Sequence, residues 1–183
     1  MMRDSIFNKD FFEILGTQLV SVIGGLIAGT MLAIYTDKVF LIPGMLILIP
    51  GLLEMRNSID GSFASRLSAG LFLHVINPKH TKTKIIKGNL VAAFSLGIVV
   101  SLVLGLVAFG FNYFILNLFM PKIILIPLIA GIFANLIELP LTLFTTLALF
   151  KRGYDPNNIM GPFITSTGDI ISVISLLVTL FIL

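Results

Sequence analysis

Between Lys87 and Lys122 the chain carries no charged residue, and between Glu13 and Asp37 it again carries none. An uninterrupted apolar run of about 18 residues or more is long enough, as a helix, to cross the hydrocarbon core of a bilayer. Soluble domains carry roughly 25% charged residues. Here charged residues make up 11% of 183, against 57% hydrophobic ones. The mean hydropathy is +1.07. An all-α integral membrane protein is the class that fits.

The absence of cysteine excludes disulfides, iron–sulfur clusters and thiol catalysis. The net charge of +3 is carried by loop lysines and gives no nucleic-acid surface. The N-terminal MMRDSIFNKDFFEI mixes both signs and shows no small-residue cleavage site, so no signal peptide is expected. The expectation is a single transmembrane domain over residues 1–183, without a soluble regulatory domain.

Five spans are predicted, at 12–35, 39–75, 85–119, 123–150 and 161–183. The first contains Gly24, Gly25 and Gly29, small residues that let helices approach closely. The second is too long for one straight span and holds Pro43, Pro50 and Gly51 in its first half, so a kinked or interrupted helix is expected. Cytoplasmic loops are enriched in Lys and Arg. With the N-terminus inside, Arg3, Lys9, Lys79, Lys82, Lys84, Lys87, Lys151 and Arg152 fall inside, and only Lys38 and Lys122 outside. That bias predicts a multi-pass protein of the plasma membrane with a cytoplasmic N-terminus and an extracellular C-terminus.

Ionisable side chains within a bilayer are costly and tend to line a bundle interior or a water-filled cavity. Glu54, Arg56, Asp60, Arg66, Glu138 and Asp169 are the candidates. On the second segment Glu54, Asn57, Ser58, Gly61, Ser65 and Ser68 follow helical spacing and predict one polar stripe. Arg56 and Asp60 are four apart and can pair. The bland reading makes Arg56 and Arg66 structural, paired with acids or reaching an interface. Glu54 and Asn57 together offer oxygen ligands to a cation.

On the fourth segment Asn135, Glu138 and Thr142 share a face, and Pro140 frees a carbonyl near Leu136. A freed carbonyl beside a carboxylate can build a cation site in a membrane. An interhelical hydrogen bond from a protonated Glu138 is the alternative. On the fifth segment Thr165, Ser166, Asp169 and Ser172 lie on one side. Asp169 has no cationic residue within a helical turn. A lone buried carboxylate is unfavourable without a counter-charge, so it is neutral, or meets an arginine of the second segment, or meets a mobile cation.

The sequence has no P-loop, GxSxG, HExxH or CxxC, and His74 and His80 flank Pro78 in a spacing poor for zinc. Every candidate ligand is a hard oxygen, which suits Mg²⁺, Mn²⁺ or Ca²⁺ and no organic cofactor.

The stretch GLLEMRNSIDGSFASRLSAGLFLH resembles the polar second-helix motif of the archaeal branch of the MgtE family, which is related to the animal magnesium solute carriers. Glu54, Met55, Arg56, Gly61 and Ser65-Arg66-Leu67 stand where that pattern has an acid, Met-Arg, Gly and Ser-Arg-Leu. Asn57-Ser58 departs from its Gly-Asn. RGYDPNNIMGPFITSTGDI is similar to the family's run into its final helix. Together the two stretches cover about a quarter of the chain.

The resemblance implies an MgtE-like transmembrane domain of five helices that acts as a homodimer, transports Mg²⁺ and is not an enzyme. It implies that Asp169 lines the central pore, with the backbone at Thr165 one turn earlier. The metal candidates are thus Asp169, Thr165, Glu54, Asn57, Asp60, Asn135 and Glu138. A heterodimer with a paralogous half, a proton-coupled carrier and a non-transporting scaffold stay open as alternatives.

Overall fold

The computed structural model describes residues 9–80 and 83–183; for Lys9 only the backbone is described. Arg3 and Lys82 of the loop-charge count lie outside these residues. Every element among the described residues is helical: α1 (Lys9–Ile34), α2 (Thr36–Phe40), α3 (Met45–Phe72), α4 (Lys84–Phe114), a 3-10 turn (Pro121–Ile124), α5 (Leu125–Lys151) and α6 (Pro156–Ile182).

Local chemistry sets most of these boundaries. The expected break in the second segment falls at residues 41–44, where Gly44 takes φ +85° and α3 begins. Only glycine enters that left-handed region without a steric cost. Asn112 of α4 locks the turn by donating to the Pro43 carbonyl at 2.8 Å. Pro50 lies within α3 and does not end it.

The α4 start is capped by Thr83, whose hydroxyl accepts from the Ile86 amide at 3.3 Å. At the end of α5, Gly153 N–H bonds Phe150 O and Tyr154 N–H bonds Leu149 O, a Schellman closure around a glycine at φ +79°. The end of α3 closes in the same way, with His74 as the left-handed residue at φ 57°.

The last helix starts five residues before the expected 161. Asp155 accepts from the Asn157 amide at 2.8 Å and Pro156 occupies the first helical turn. The Asp-Pro pair makes a helix start, because proline lacks an N–H that would go unpaired there anyway.

Helix α3 is the hub. It packs against α4, α5 and α6, while α1 packs along α6. Its buried stripe runs Leu48, Leu52, Met55, Ile59, Phe63, Leu67 and Leu71 at three-and-four spacing. Glu54, Ser58, Ser62 and Ser65 form the opposite, exposed stripe. Close packing of α4 needs small residues: a side chain at Gly105 would stand 2.9 Å from the Ile124 Cα. In α1, only Gly24 of the glycine set is pressed against a neighbour, Ser166 of α6; Gly25 and Gly29 face open space.

Four helices among the described residues are long and apolar enough to cross a membrane: α1, α4, α5 with its 3-10 turn, and α6. Helix α3 spans 28 residues and contains Glu54, Arg56, Asp60 and Arg66. It therefore has the length of a span without the composition of one.

The ends of the bundle are chemically distinct. At one end Phe72 meets Phe150 edge-to-face at 5.3 Å, and Asn158 donates to Asp10 at 3.2 Å. That end carries Lys79, Lys84, Lys87, Lys151 and Arg152. At the other end the Phe181 ring sits under Lys38 Nζ at 3.7 Å and against Tyr35.

Candidate cation site

Helices α3, α5 and α6 each bring polar residues to the centre of the bundle. Arg56 is wholly buried, and its guanidinium is the node. Its Nε donates to Glu138 Oε2 at 2.9 Å, and Nη2 reaches the same oxygen. Nη2 also pairs with Asp60 Oδ2 at 2.8 Å. Nη1 donates to Asn135 Oδ1. The remaining carboxylate oxygen of Glu138, Oε1, accepts from the Ser172 hydroxyl of α6 at 3.2 Å.

This arrangement places three of the candidate ligands, Asp60, Asn135 and Glu138, around one cationic side chain. All three are buried. A buried ion pair repays its desolvation only when the geometry is good and further hydrogen bonds satisfy the spare oxygens. Glu138 meets that condition. Asp60 Oδ1 and Asn135 Nδ2 have no hydrogen-bond partner among the described residues. The expected pairing of Arg56 with Asp60 is present, and the partners across the bundle add to it. Arg66 is exposed and donates to the Ser62 carbonyl at 3.2 Å.

The side chain of Leu136, whose carbonyl Pro140 frees, turns away from the cluster. Leu136 is exposed and Glu138 buried. Two residues apart on a helix, their side chains point about 160° apart.

Asp169 stands one turn before Ser172 on α6, half-buried. Its Oδ1 accepts from Asn57 Nδ2 at 3.1 Å. Asn57 thus presents its nitrogen to Asp169, while its own oxygen is buried against Gly168. Glu54 is exposed one turn before Asn57 on α3. Thr165 is exposed one turn before Asp169 on α6 and donates to the Gly161 carbonyl at 3.1 Å. Of the expected common face, Thr165, Asp169 and Ser172 lie within about 60° of one another on α6, with Ser172 reaching Glu138, while Ser166 faces Gly24 of α1.

Asp169, Thr165, Glu54 and Asn57 therefore lie on a polar face formed by the neighbouring helices α3 and α6. Ser58, Ser62, Ser65 and Gly161 extend it. Between the helices it opens into a cavity of about 190 Å³ lined by Gly61, Ser65, Asn157 and Gly161 in front of Ala64, Met160 and Ile164. The face is hydroxylic and carries two acids, with the exposed Arg66 beside Ser62.

Gly168 is the site residue that a reading by side-chain chemistry passes over. A glycine inside a helix is destabilising by roughly 1 kcal/mol relative to alanine. Its presence there signals a close approach: a Cβ would stand 3.0 Å from Asn57 Oδ1.

Apolar helices around a buried charge network and an acid-bearing polar face define a multi-pass helical membrane protein built to handle a polar solute. The family model MgtE, described as a divalent cation transporter, matches residues 49–179. The chain belongs to that family, which is one of transporters rather than enzymes. The match takes in α4 and α5 whole and nearly all of α3 and α6, and with them every candidate residue. No curated protein and no solved structure matches the chain.

Proposed function

We propose that this protein conducts Mg²⁺ along the polar face of α3 and α6, with Asp169 as the acid that meets the ion. The observation that carries this reading is the exposed stripe of Glu54, Ser58, Ser62 and Ser65 beside Thr165 and Asp169. Hydroxyls and carboxylates facing lipid would be unfavourable. Facing water and a cation, they are suited to their surroundings.

In this reading α3 is a fifth membrane crossing. Its buried charges are paired inside the bundle, so they need no contact with lipid. The chain forms a single transmembrane domain, with the lysine-rich end in the cytoplasm of the cell and the C-terminus outside. The polar face is open on one side, and a second copy related by a two-fold axis would close it. Such cyclic dimers are the commonest closed assemblies. Mg²⁺ dehydrates reluctantly and binds through one or two carboxylates plus waters. Two Asp169 carboxylates facing a largely hydrated ion fit that preference, and Glu54 and Asn57 flank it.

The Arg56 network favours a second reading for part of the site. Asp60, Asn135 and Glu138 fasten helices there, as they would in a non-transporting scaffold. The two readings part on flux. Purified protein in proteoliposomes is expected to admit Mg²⁺ down its gradient with or without a proton gradient. Asp169→Asn is expected to insert normally and lose most of that flux. Absence of flux under every gradient would leave the scaffold reading standing. Flux only with an opposing proton gradient would identify a coupled carrier.

A further inference from the structure

Glu138 reaches α6 through a single atom. Arg56 takes Oε2, and Oε1 accepts from Ser172, which is buried three residues beyond Asp169. One turn of α6 therefore carries both the ion-facing acid and this contact, about 60° apart around the helix. On the same turn Gly168 lets α6 settle against α3. A Cβ there would stand 3.0 Å from Asn57 Oδ1 and 3.9 Å from Glu138 Oε1. Asn57 follows Arg56 in the chain and holds Asp169 Oδ1 at 3.1 Å. Arg56 itself is held by Asp60 at 2.8 Å and by Asn135.

We propose that Arg56 and Glu138 are a positioning pair for Asp169, acting through Ser172 and Gly168, and that these two α6 residues set how strictly the protein discriminates among divalent cations. The proposal rests on the reading of Asp169 as the acid that meets the ion. Its physical basis is the difference between the ions. Mg²⁺ demands near-ideal octahedral geometry at about 2.0–2.1 Å, whereas Ca²⁺ accepts 6–8 oxygens at about 2.3–2.6 Å in flexible arrangements. A carboxylate displaced by a few tenths of an ångström is therefore a poorer partner for Mg²⁺ and an acceptable one for Ca²⁺. Removing the Ser172 hydroxyl frees α6 from Glu138. Adding a methyl at Gly168 pushes it off Asn57. Both changes loosen Asp169 without touching its charge.

The test uses the full chain in proteoliposomes, with Mg²⁺ and Ca²⁺ flux measured separately at equal concentration. Ser172→Ala and Gly168→Ala are compared with the parent, with Asp169→Asn as control. Thermal unfolding in detergent is followed for all four. The expected result is that Ser172→Ala and Gly168→Ala fold, and that the Mg²⁺-to-Ca²⁺ flux ratio falls roughly fivefold, part of what one charge-assisted hydrogen bond is worth. Asp169→Asn should lose flux of both ions. A parental ratio in both variants, whatever their absolute rates, overturns the positioning role and leaves the reading of Asp169 intact. Failure of Ser172→Ala to fold also overturns it, because the contact would then hold the bundle rather than the carboxylate. Parental flux in Asp169→Asn would defeat the underlying reading, and the positioning role with it.

Discussion

The Arg56 guanidinium on α3 grips one carboxylate oxygen of Glu138 on α5 with two of its nitrogens, Nε at 2.9 Å and Nη2, across 82 positions of sequence. No other cationic side chain bonds either Glu138 or Asp60 among the described residues. Breaking a buried pair by removing one partner costs about 3–5 kcal/mol, because the other charge is left uncompensated. Arg56→Met should therefore strand two carboxylates and sharply lower the yield of folded protein. The triple variant Arg56→Met, Asp60→Asn, Glu138→Gln removes every stranded charge and should recover much of the loss. Thermal unfolding in detergent, followed by size exclusion, compares the two. A triple variant no more stable than the single one would contradict the assignment.

The glycines of α1 should divide by environment. Alanine at Gly24 would press on Ser166 of α6, and alanine at Gly29 would meet nothing within 4 Å. Overpacking costs about 1–3 kcal/mol, whereas replacing an unconstrained helical glycine by alanine gains about 0.5–1 kcal/mol. Gly24→Ala should therefore unfold at a lower temperature than the parent, and Gly29→Ala at an equal or higher one. The opposite order would mean that α1 does not lie on α6 as described.

The orientation can be read with thiol chemistry, since the chain has no cysteine and the background is clean. Cysteines at Lys79 and Lys151 should stay shielded from an impermeant reagent added outside intact cells. One added after Leu183 should react. Labelling of Lys79→Cys from outside would reverse the proposed topology.

The two-fold assembly makes a positional prediction on α6. Asn157, Gly161 and Thr165 are exposed along one face of α6 in the single chain, whereas Val173 and Leu176 are buried. Single cysteines at the exposed positions should form intermolecular disulfides, strongest nearest the axis. Those at Val173 and Leu176 should not. A monodisperse monomer in mild detergent that conducts Mg²⁺ after reconstitution, with no crosslink at any exposed position, would exclude the dimer axis proposed here.

Local signals made much of the chain legible. The uncharged runs mark α1 and α4, the break at Pro43-Gly44 ends the second segment's outer part, and Arg56 and Asp60 stand at pairing distance on one helix. Each depends only on residues within a turn or two, so short-range sterics and hydrogen bonding suffice to read them. Asp155-Pro156 belongs with them, since capping chemistry is equally local.

Which residues meet was settled by packing. The sequence marks Arg56 and Glu138 as polar, but nothing within a turn of either names the other. It marks Gly24 and Gly29 alike, and only the placement of α6 separates them. In water a helix announces its buried face by contrast with a charged one. Helices such as α1 and α4 meet apolar surroundings on the side toward the bundle and on the side away from it, so their pattern carries little of that contrast. The inward turn of Ser172, the donation from Asn57 to Asp169 and the close approach at Gly168 arise where three helices cross. Those crossings are fixed by side-chain fit over the whole bundle, a sum over contacts far apart in the chain.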